Sequence, residues 1–300
     1  MAGQQPRVLI TGGDGQLGFE LARALQGRAE VVALNRAQLD LGDAEAIVRS
    51  CRDLKPALIL NPGAYTAVDK AESEPELAMR INGIAPGVLG EQARRLGVPV
   101  VHFSTDYVFD GLASVPYRED DATHPQSAYG KTKLAGEQAL AASGAEHLIL
   151  RTSWLYGNRR HNFFLTMLRL ARERDILRVV ADQIGAPTWV RPLAEASAAA
   201  LSFSAAGAAL AVPQGLYHLS AAGQTSWHGF AEALLAAVPD PARKCARVEA
   251  ITTAEFPTPA RRPAYSVLAN ARWIGAGGGA LPGWERQLEG CAAEYRAAFP

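Results

Sequence analysis

Arg7-Val-Leu-Ile-Thr-Gly12-Gly-Asp-Gly15-Gln-Leu-Gly18 is the stretch on which the fold turns. Arg7 to Thr11 reads as a short buried strand, because aliphatic and β-branched side chains run through it without a break. Glycines at positions 12, 15 and 18 follow at once, and an amphipathic run from Leu17 to Leu25 follows them. In the order strand, glycine turn, helix, the backbone can approach a pyrophosphate closely. The helix N-terminus then offers it free N–H groups and a positive dipole end. A plain glycine-rich surface turn is the alternative, but its place directly after a strand favours dinucleotide binding.

Outward from this stretch, strand and helix signals alternate. Strands are expected at Glu30–Leu34, Ala57–Leu60, Val98–Ser104 and His147–Thr152. Helices are expected at Ala44–Leu54, at Glu74–Leu96 with a break or kink at Gly83 and Pro86, and at Tyr129–Ala142. This rhythm predicts an α/β chain with a Rossmann-type, doubly wound parallel sheet. After about residue 155 it loosens into a smaller, loop-rich C-terminal substrate lobe. Helices are expected there at Asn162–Glu173 and Gln224–Val238, with looped or extended stretches at Val179–Pro192 and Gly215–Gln224. Leu193–Val212 is mostly Ala and Ser and holds Glu195 and Gly207, so it reads as a packed helix running into a loop, not a membrane span. The division expected is 1–155 for the dinucleotide and 156–300 for substrate, with segments such as 179–212 returning to the first part.

Thirty basic residues balance thirty acidic ones, which leaves no electrostatic footprint for nucleic acid or an acidic membrane. Cys51, Cys245 and Cys291 match no metal or redox spacing and suit buried thiols in a reducing cytosol. No secretory leader is read at the start, so a cytoplasmic location is expected.

Asn35-Arg36 ends the second strand, where NAD-specific folds favour an acid for the ribose hydroxyls. An Arg can instead pair a 2′-phosphate, so NADPH is expected ahead of NADH. Asp40 and Leu41 fall in a loop that can flank the adenine, and Asn61-Pro-Gly-Ala64-Tyr65-Thr66 follows the Ala57–Leu60 strand at the ligand crevice. Thr105 and Asp106 end the strand before the Tyr129 helix, placed to bond a carbonyl and a sugar hydroxyl. Tyr129 and Lys133 stand one helical turn apart, on one face. A phenol beside an ammonium is a usable acid; lowering its pKa by three units needs roughly 4 kcal/mol, which Lys⁺ and a cationic nicotinamide together can supply.

Several motifs run in order along nearly the whole chain: Gly12 to Gly18, Ala-Tyr-Thr-Ala-Val-Asp-Lys-Ala-Glu (64–72), Ser-Thr-Asp-Tyr-Val-Phe-Asp-Gly (104–111), Tyr-Gly-Lys-Thr-Lys-Leu-Ala-Gly-Glu (129–137), Arg-Thr-Ser-Trp-Leu-Tyr-Gly (151–157) and Asp-Gln-Ile-Gly-Ala-Pro-Thr (182–188). With them the chain resembles the dTDP-4-dehydrorhamnose reductase family of the extended short-chain dehydrogenase/reductase superfamily. The resemblance implies reduction of the C4 keto group of dTDP-4-dehydro-β-L-rhamnose by NAD(P)H. Tyr129 would donate the proton, Lys133 would hold the nicotinamide ribose and tune Tyr129, and Thr105 would adjust the same phenol. Gly15, Gln16, Leu17, Asn35, Asp40, Leu41 and Ala64 to Thr66 would contact the coenzyme. Thr105, Asp106 and Trp154 would contact the sugar nucleotide, and Arg262, in a Pro-flanked loop, suits a diphosphate clamp.

The resemblance also implies a monomer or homodimer. Some members hold magnesium between interface glutamates, and Glu20 and Glu285 fall in matching motifs. Where a third glutamate is expected the chain reads Trp189-Val190-Arg191, and an Arg repels a cation, so no metal is expected. Two rival readings stand beside this one. A non-catalytic regulatory subunit of a methionine adenosyltransferase would not need Tyr129, Lys133 and Thr105 together. A sugar-nucleotide epimerase or dehydratase would recycle its nucleotide instead of consuming it.

Overall fold

The computed structural model describes residues 5–298. Six parallel strands form the main sheet, in the spatial order Gly215–His218, His147–Thr152, Val100–Thr105, Leu58–Asn61, Arg7–Thr11, Glu30–Leu34. Every pairing between them is parallel. The chain reverses its direction of travel across the sheet at Arg7–Thr11, whose neighbours are the second strand on one side and the third on the other. Such a switch point opens a crevice beyond the carboxyl ends of the strands.

Alternation within the strands sorts the core into two layers. Val8, Ile10, Leu58, Leu60, Val101, Phe103, Leu148 and Leu150 pack with Leu17, Leu21 and Leu193, from the helices Gln16–Ala24 and Val190–Ala199. Leu9, Ile59, Val100 and Ile149 face the opposite layer, with Ile47, Leu89 and Leu140 from the helices Ala44–Leu54, Ala85–Leu96 and Ala128–Ala142. Residues 8 to 10 are fully buried on both faces, as an interior parallel strand requires.

The expected long helix at 74–96 follows a continuous helical path, not a break. It runs as Pro75–Ala78, a wider π turn at Met79–Ile84, then Ala85–Leu96. Pro86 falls in the first turn of that last segment, where its missing N–H leaves no gap, and the wide turn before it absorbs the misfit. Glycines let this helix lie tight against the Tyr129 helix. A Cβ at Gly90 would sit 2.8 Å from Leu140 Cδ1, and one at Gly136 would sit 2.0 Å from the Asn82 carbonyl oxygen. The fourth strand starts at Val100, two residues late, because Pro99 has no N–H to give the ladder.

Two expectations for the second half are corrected, and one open alternative is decided. Gly215–His218, expected looped or extended, is extended, as the sixth strand of the main sheet. The run from Leu193 to Val212 leaves its helix at Ala199 and forms an antiparallel hairpin, Leu201–Ser204 with Gly207–Leu210, rather than a loop. The hairpin places Leu201, Phe203, Ala208 and Leu210 against the first core layer, and that packing overrides the helical preference of its alanines. Finally, the C-terminal lobe is more than loops. Helices Phe163–Glu173, Trp227–Ala237 and Trp284–Ala298 and the parallel pair Ile176–Val180 with Arg247–Ile251 enclose a core of their own. Trp284–Ala298 has no counterpart among the expected elements, although its buried Trp284, Leu288, Cys291 and Ala292 repeat at helical spacing. All three cysteines are buried and free.

Candidate active site

A cavity of about 1010 Å³ lies across the carboxyl ends of the strands and extends to the C-terminal lobe. That is at the upper end of small-ligand pockets (roughly 300–1,000 Å³), room enough for two ligands to meet.

One wall is backbone. Gly12 has φ +57°, and a Cβ there would lie 2.9 Å from Gly63 Cα. At Gly18 a Cβ would lie 2.3 Å from the Gly12 carbonyl oxygen, so only glycine lets the helix come this close to the turn. Gly15 caps the helix Gln16–Ala24 with no side-chain hydrogen bond, and no acid stands in the first turn. The free N–H groups of that turn are therefore available to an anion, and the cradle fits a dinucleotide pyrophosphate. Gly12, Gly15, Gln16, Leu17, Gly18, Arg36, Asp40, Leu41, Ala64, Tyr65 and Thr66 all line the cavity. Asn35 does not: its side-chain oxygen accepts from Ala37 N (3.0 Å) and Gln38 N (3.1 Å), closing the turn that presents Arg36. Arg36 has no ion-pair partner among the described residues. Asn82, in the π turn, holds the Tyr65 backbone from both sides, accepting from Tyr65 N (2.8 Å) and donating to Tyr65 O (3.0 Å).

Tyr129 enters from the opposite side, on a helix whose N-cap Ser127 accepts from Gly130 N. Its ring stands edge-on to Tyr107, with centroids 5.5 Å apart. Burial pushes the phenol pKa up, and the neighbouring Thr105 hydroxyl opposes this only in part. Burial thus works against the lowering expected of Lys133 and a cationic nicotinamide together. Lys133 does share the helix face, but its ammonium turns beneath the fourth strand and donates to Phe103 O at 2.6 Å. It is 2% exposed and does not line the cavity. Burial lowers its pKa to about 8, against the pull of Glu137. Burial therefore dominates at both groups, disfavouring the charged form of each.

Thr105 Oγ1 donates to Asp106 Oδ1 at 3.0 Å. Asp106 Oδ2 is buried with no partner, since the adjacent Ser266 hydroxyl falls short of a formed bond. Burial raises the Asp106 pKa to about 6, which Ser266 and Thr105 partly offset. An unpaired carboxylate oxygen in a cavity wall is a place for a hydroxyl donor.

The far wall is aromatic. Trp154, at φ +47°, stacks on Trp227 with centroids 3.5 Å apart and planes 4° from parallel. Gly185 makes room for it, since a Cβ there would lie 2.3 Å from the indole. Phe163 packs against Trp227 with ring centroids 4.6 Å apart, and Phe256 lines the same cavity. Arg262 lines the cavity while bonding Tyr107 Oη (3.0 Å) and Asp69 Oδ2 (2.8 Å). Trp227, Phe163, Phe256, Asn82 and His102 are not among the residues to which sequence motifs point. Trp227, Phe163 and Phe256 come from elements remote in the chain, and His102, although on the strand that ends at Thr105, is marked by no local spacing.

Glu20 lies away from the cavity. Its carboxylate accepts from Arg23 (3.1 Å) and Arg191 (3.2 Å), and Arg191 also pairs Glu294. Glu285 is not part of this cluster. A guanidinium thus stands between the two carboxylates where a divalent ion would need them free, and the residues do not fit magnesium. Among the described residues no three His, Cys, Asp or Glu side chains gather to hold a metal. No described helix is long and apolar enough to cross a membrane.

The sequence model of the RmlD substrate binding domain family matches residues 6–297. A dTDP-4-dehydrorhamnose reductase of Burkholderia thailandensis is 47% identical over 96% of this chain and 98% of its own length. The crystal structure of a dTDP-4-dehydrorhamnose reductase from Clostridium acetobutylicum superposes with a TM-score of 0.87 at 37% identity, covering 97% of this chain and 99% of that one. The Bacillus anthracis dTDP-4-dehydrorhamnose reductase, solved in complex with NADP, gives 0.87 at 34% identity, over 97% and 100%.

Proposed function

The chain belongs to the RmlD family of dTDP-4-dehydrorhamnose reductases, and from that premise we propose how its own residues carry the reaction. The enzyme is an oxidoreductase that reduces the C4 keto group of dTDP-4-dehydro-β-L-rhamnose to give dTDP-L-rhamnose. The observation that carries the residue assignment is the convergence of Tyr129, Thr105 and Asp106 on one cavity with the glycine cradle.

Gly12 to Gly18 hold the pyrophosphate on backbone N–H groups. Arg36 takes the 2′-phosphate, so NADPH is preferred and NADH is used second. The bound coenzyme supplies the hydride for the ketone carbon. Tyr129 donates the proton to the ketone oxygen as negative charge builds there, and the Thr105 hydroxyl supports that oxygen. Lys133 sets the field beneath Tyr129, and to hold the nicotinamide ribose its ammonium turns from Phe103 O toward the cavity when the coenzyme binds. Asp106 accepts from a sugar hydroxyl through its unpaired oxygen. Trp154 packs the deoxysugar, and Arg262 meets the diphosphate. Residues 1–155 serve the coenzyme and 156–300 mainly the sugar nucleotide. We further propose that Arg191 replaces any metal at Glu20, and that the chain works as a monomer or homodimer.

The test is an assay of purified protein with the dTDP-4-keto-6-deoxysugar, the matching epimerase and each coenzyme in turn. Stoichiometric NADPH oxidation with dTDP-L-rhamnose as product is expected. Tight coenzyme binding without turnover would favour a regulatory subunit, and a sugar product without net NADPH loss an epimerase.

A further inference from the structure

The buried ammonium of Lys133 has a second neighbour that no motif points to. His102 lies three residues before Thr105 on the Val100–Thr105 strand and is 1% exposed. Its Nε2 is 3.3 Å from Lys133 Nζ, and its Nδ1 is 3.0 Å from the Asn61 side-chain amide. Asn61 is its register partner on the adjacent strand. The row continues: the Asn61 amide meets Thr11 Oγ1 at 2.6 Å, and Thr11 Oγ1 accepts from Gly63 N at 3.1 Å. Thr11 and Gly63 flank Gly12, so a continuous buried row of polar groups joins the dinucleotide cradle to Lys133.

The charges in the row decide its protons. His102 is neutral, because burial and the neighbouring Lys133 both hold its pKa well below the usual value. A neutral imidazole donates at one nitrogen and accepts at the other. Lys133 keeps its proton at neutrality and offers only donors. Nε2 must then accept, and the ring proton sits on Nδ1. The Asn61 amide is placed with Nδ2 toward His102 and Oδ1 toward the Thr11 hydroxyl, and a half-turn of it puts the oxygen toward that proton without moving any heavy-atom site.

We propose that neutral His102, in its Nδ1–H form, is a positioning residue for Lys133: its Nε2 is the second acceptor that seats the ammonium under Tyr129, and Asn61 fixes the tautomer. The role rests on the reductase reading, in which Lys133 serves Tyr129. The other charges facing Lys133 leave this acceptor needed. Glu137, on the same helix, is already held by Arg151 from the His147–Thr152 strand through bonds of 2.9 and 2.7 Å, and Ser104 bonds it too. Tyr129 above is a neutral phenol. Among the described residues, Phe103 O is then the one other acceptor bonded to the ammonium.

Two measurements test this. The first needs no turnover: nitrogen NMR of the histidine-labelled wild type at neutral pH should show His102 with its proton on Nδ1. A proton on Nε2, or a doubly protonated ring, overturns the proposal while leaving the reductase reading intact. The second is the pH profile of kcat/KM. Losing an acceptor makes the ammonium easier to deprotonate, so His102→Phe should move the basic limb to lower pH by roughly one unit. His102→Gln, whose amide oxygen still accepts, should recover most of that shift. A folded His102→Phe enzyme with an unmoved basic limb overturns the proposal. A wild type that does not oxidise NADPH at all sinks the reductase reading instead, and the NMR result then stands alone.

Discussion

The two walls of the cavity are built in opposite ways. The cradle around Gly12 to Gly18 is backbone, drawn from one continuous stretch, and what makes it is absence: missing Cβ atoms at Gly12 and Gly18 and a missing cap at Gly15. The aromatic wall is side chain, drawn from Trp154, Phe163, Trp227 and Phe256, which span about a hundred residues of chain. A pyrophosphate looks the same in every dinucleotide, so one rigid backbone shape serves it. A particular sugar nucleotide needs a shaped apolar surface, and such surfaces form where distant elements pack. Tyr129, Thr105 and Asp106 stand on the line where the walls meet.

That contrast can be broken at several places. The largest effect is expected at the meeting line. Tyr129→Phe should lower kcat by about 10² to 10⁴ while leaving the Kd for NADPH nearly unchanged. Near-normal turnover would remove the acid from this residue. Next is the cradle. Gly18→Ala drives a methyl into the Gly12 carbonyl, and neither is a flexible side chain. Loss of about 2–3 kcal/mol of stability and a large rise in the NADPH Kd are expected, read by thermal melting and fluorescence titration. An unaltered Kd would mean that the turn is not held closed. Weaker still is the aromatic wall. Trp227→Ala takes the support from Trp154, and should raise KM for the sugar nucleotide by up to about tenfold, the scale of about 0.5–1.5 kcal/mol for a stacked pair, with KM for NADPH unmoved. A change in both KM values would show that the walls are not separable.

The effect with least consequence for turnover concerns Asp106 and sharpens the meeting line. Its pKa is raised in the fold to about 6 from the ordinary 3.8. The stability linked to its neutral form is complete below about pH 3.8 and is lost as the pH rises through about 6, on the order of 3 kcal/mol once fully ionised. Asp106→Asn should therefore raise the melting temperature of the ligand-free protein by a few degrees at pH 8 and hardly at all at pH 4. An equal gain at both values would assign the effect to packing instead of charge.

Legibility followed the same division. Arg7–Thr11 and His147–Thr152 emerged with the expected bounds, because an interior parallel strand is a short aliphatic run whatever surrounds it. Gly215–His218 was not legible as a sheet strand, since Gly-Leu-Tyr-His has no pattern that tells a sheet edge from a loop. Its pairing with His147–Thr152 decides the matter. The hairpin after Ala199 was hidden for the reverse reason: Ala-rich sequence favours helix locally, and only contact with Val212, Leu193 and their layer outweighs it. At the site, Tyr129 and Lys133 were visible as a one-turn pair. The direction of the Lys133 ammonium and the upward push on the Tyr129 phenol were not, because burial is a property of the assembled molecule.

By itself, then, the chain order determined the doubly wound sheet, the glycine cradle and the one-turn pairing of Tyr129 with Lys133. Those depend on interactions within a few residues: sterics at glycine, periodicity in strands, one turn of helix. Tertiary structure alone decided what stands behind them. It brought His102 and Asn61 to Lys133, Trp227 to Trp154 and Arg191 to Glu20. The reason is that solvation, charge pairing and aromatic contact act through space, and neighbours in space are chosen by packing of the whole chain.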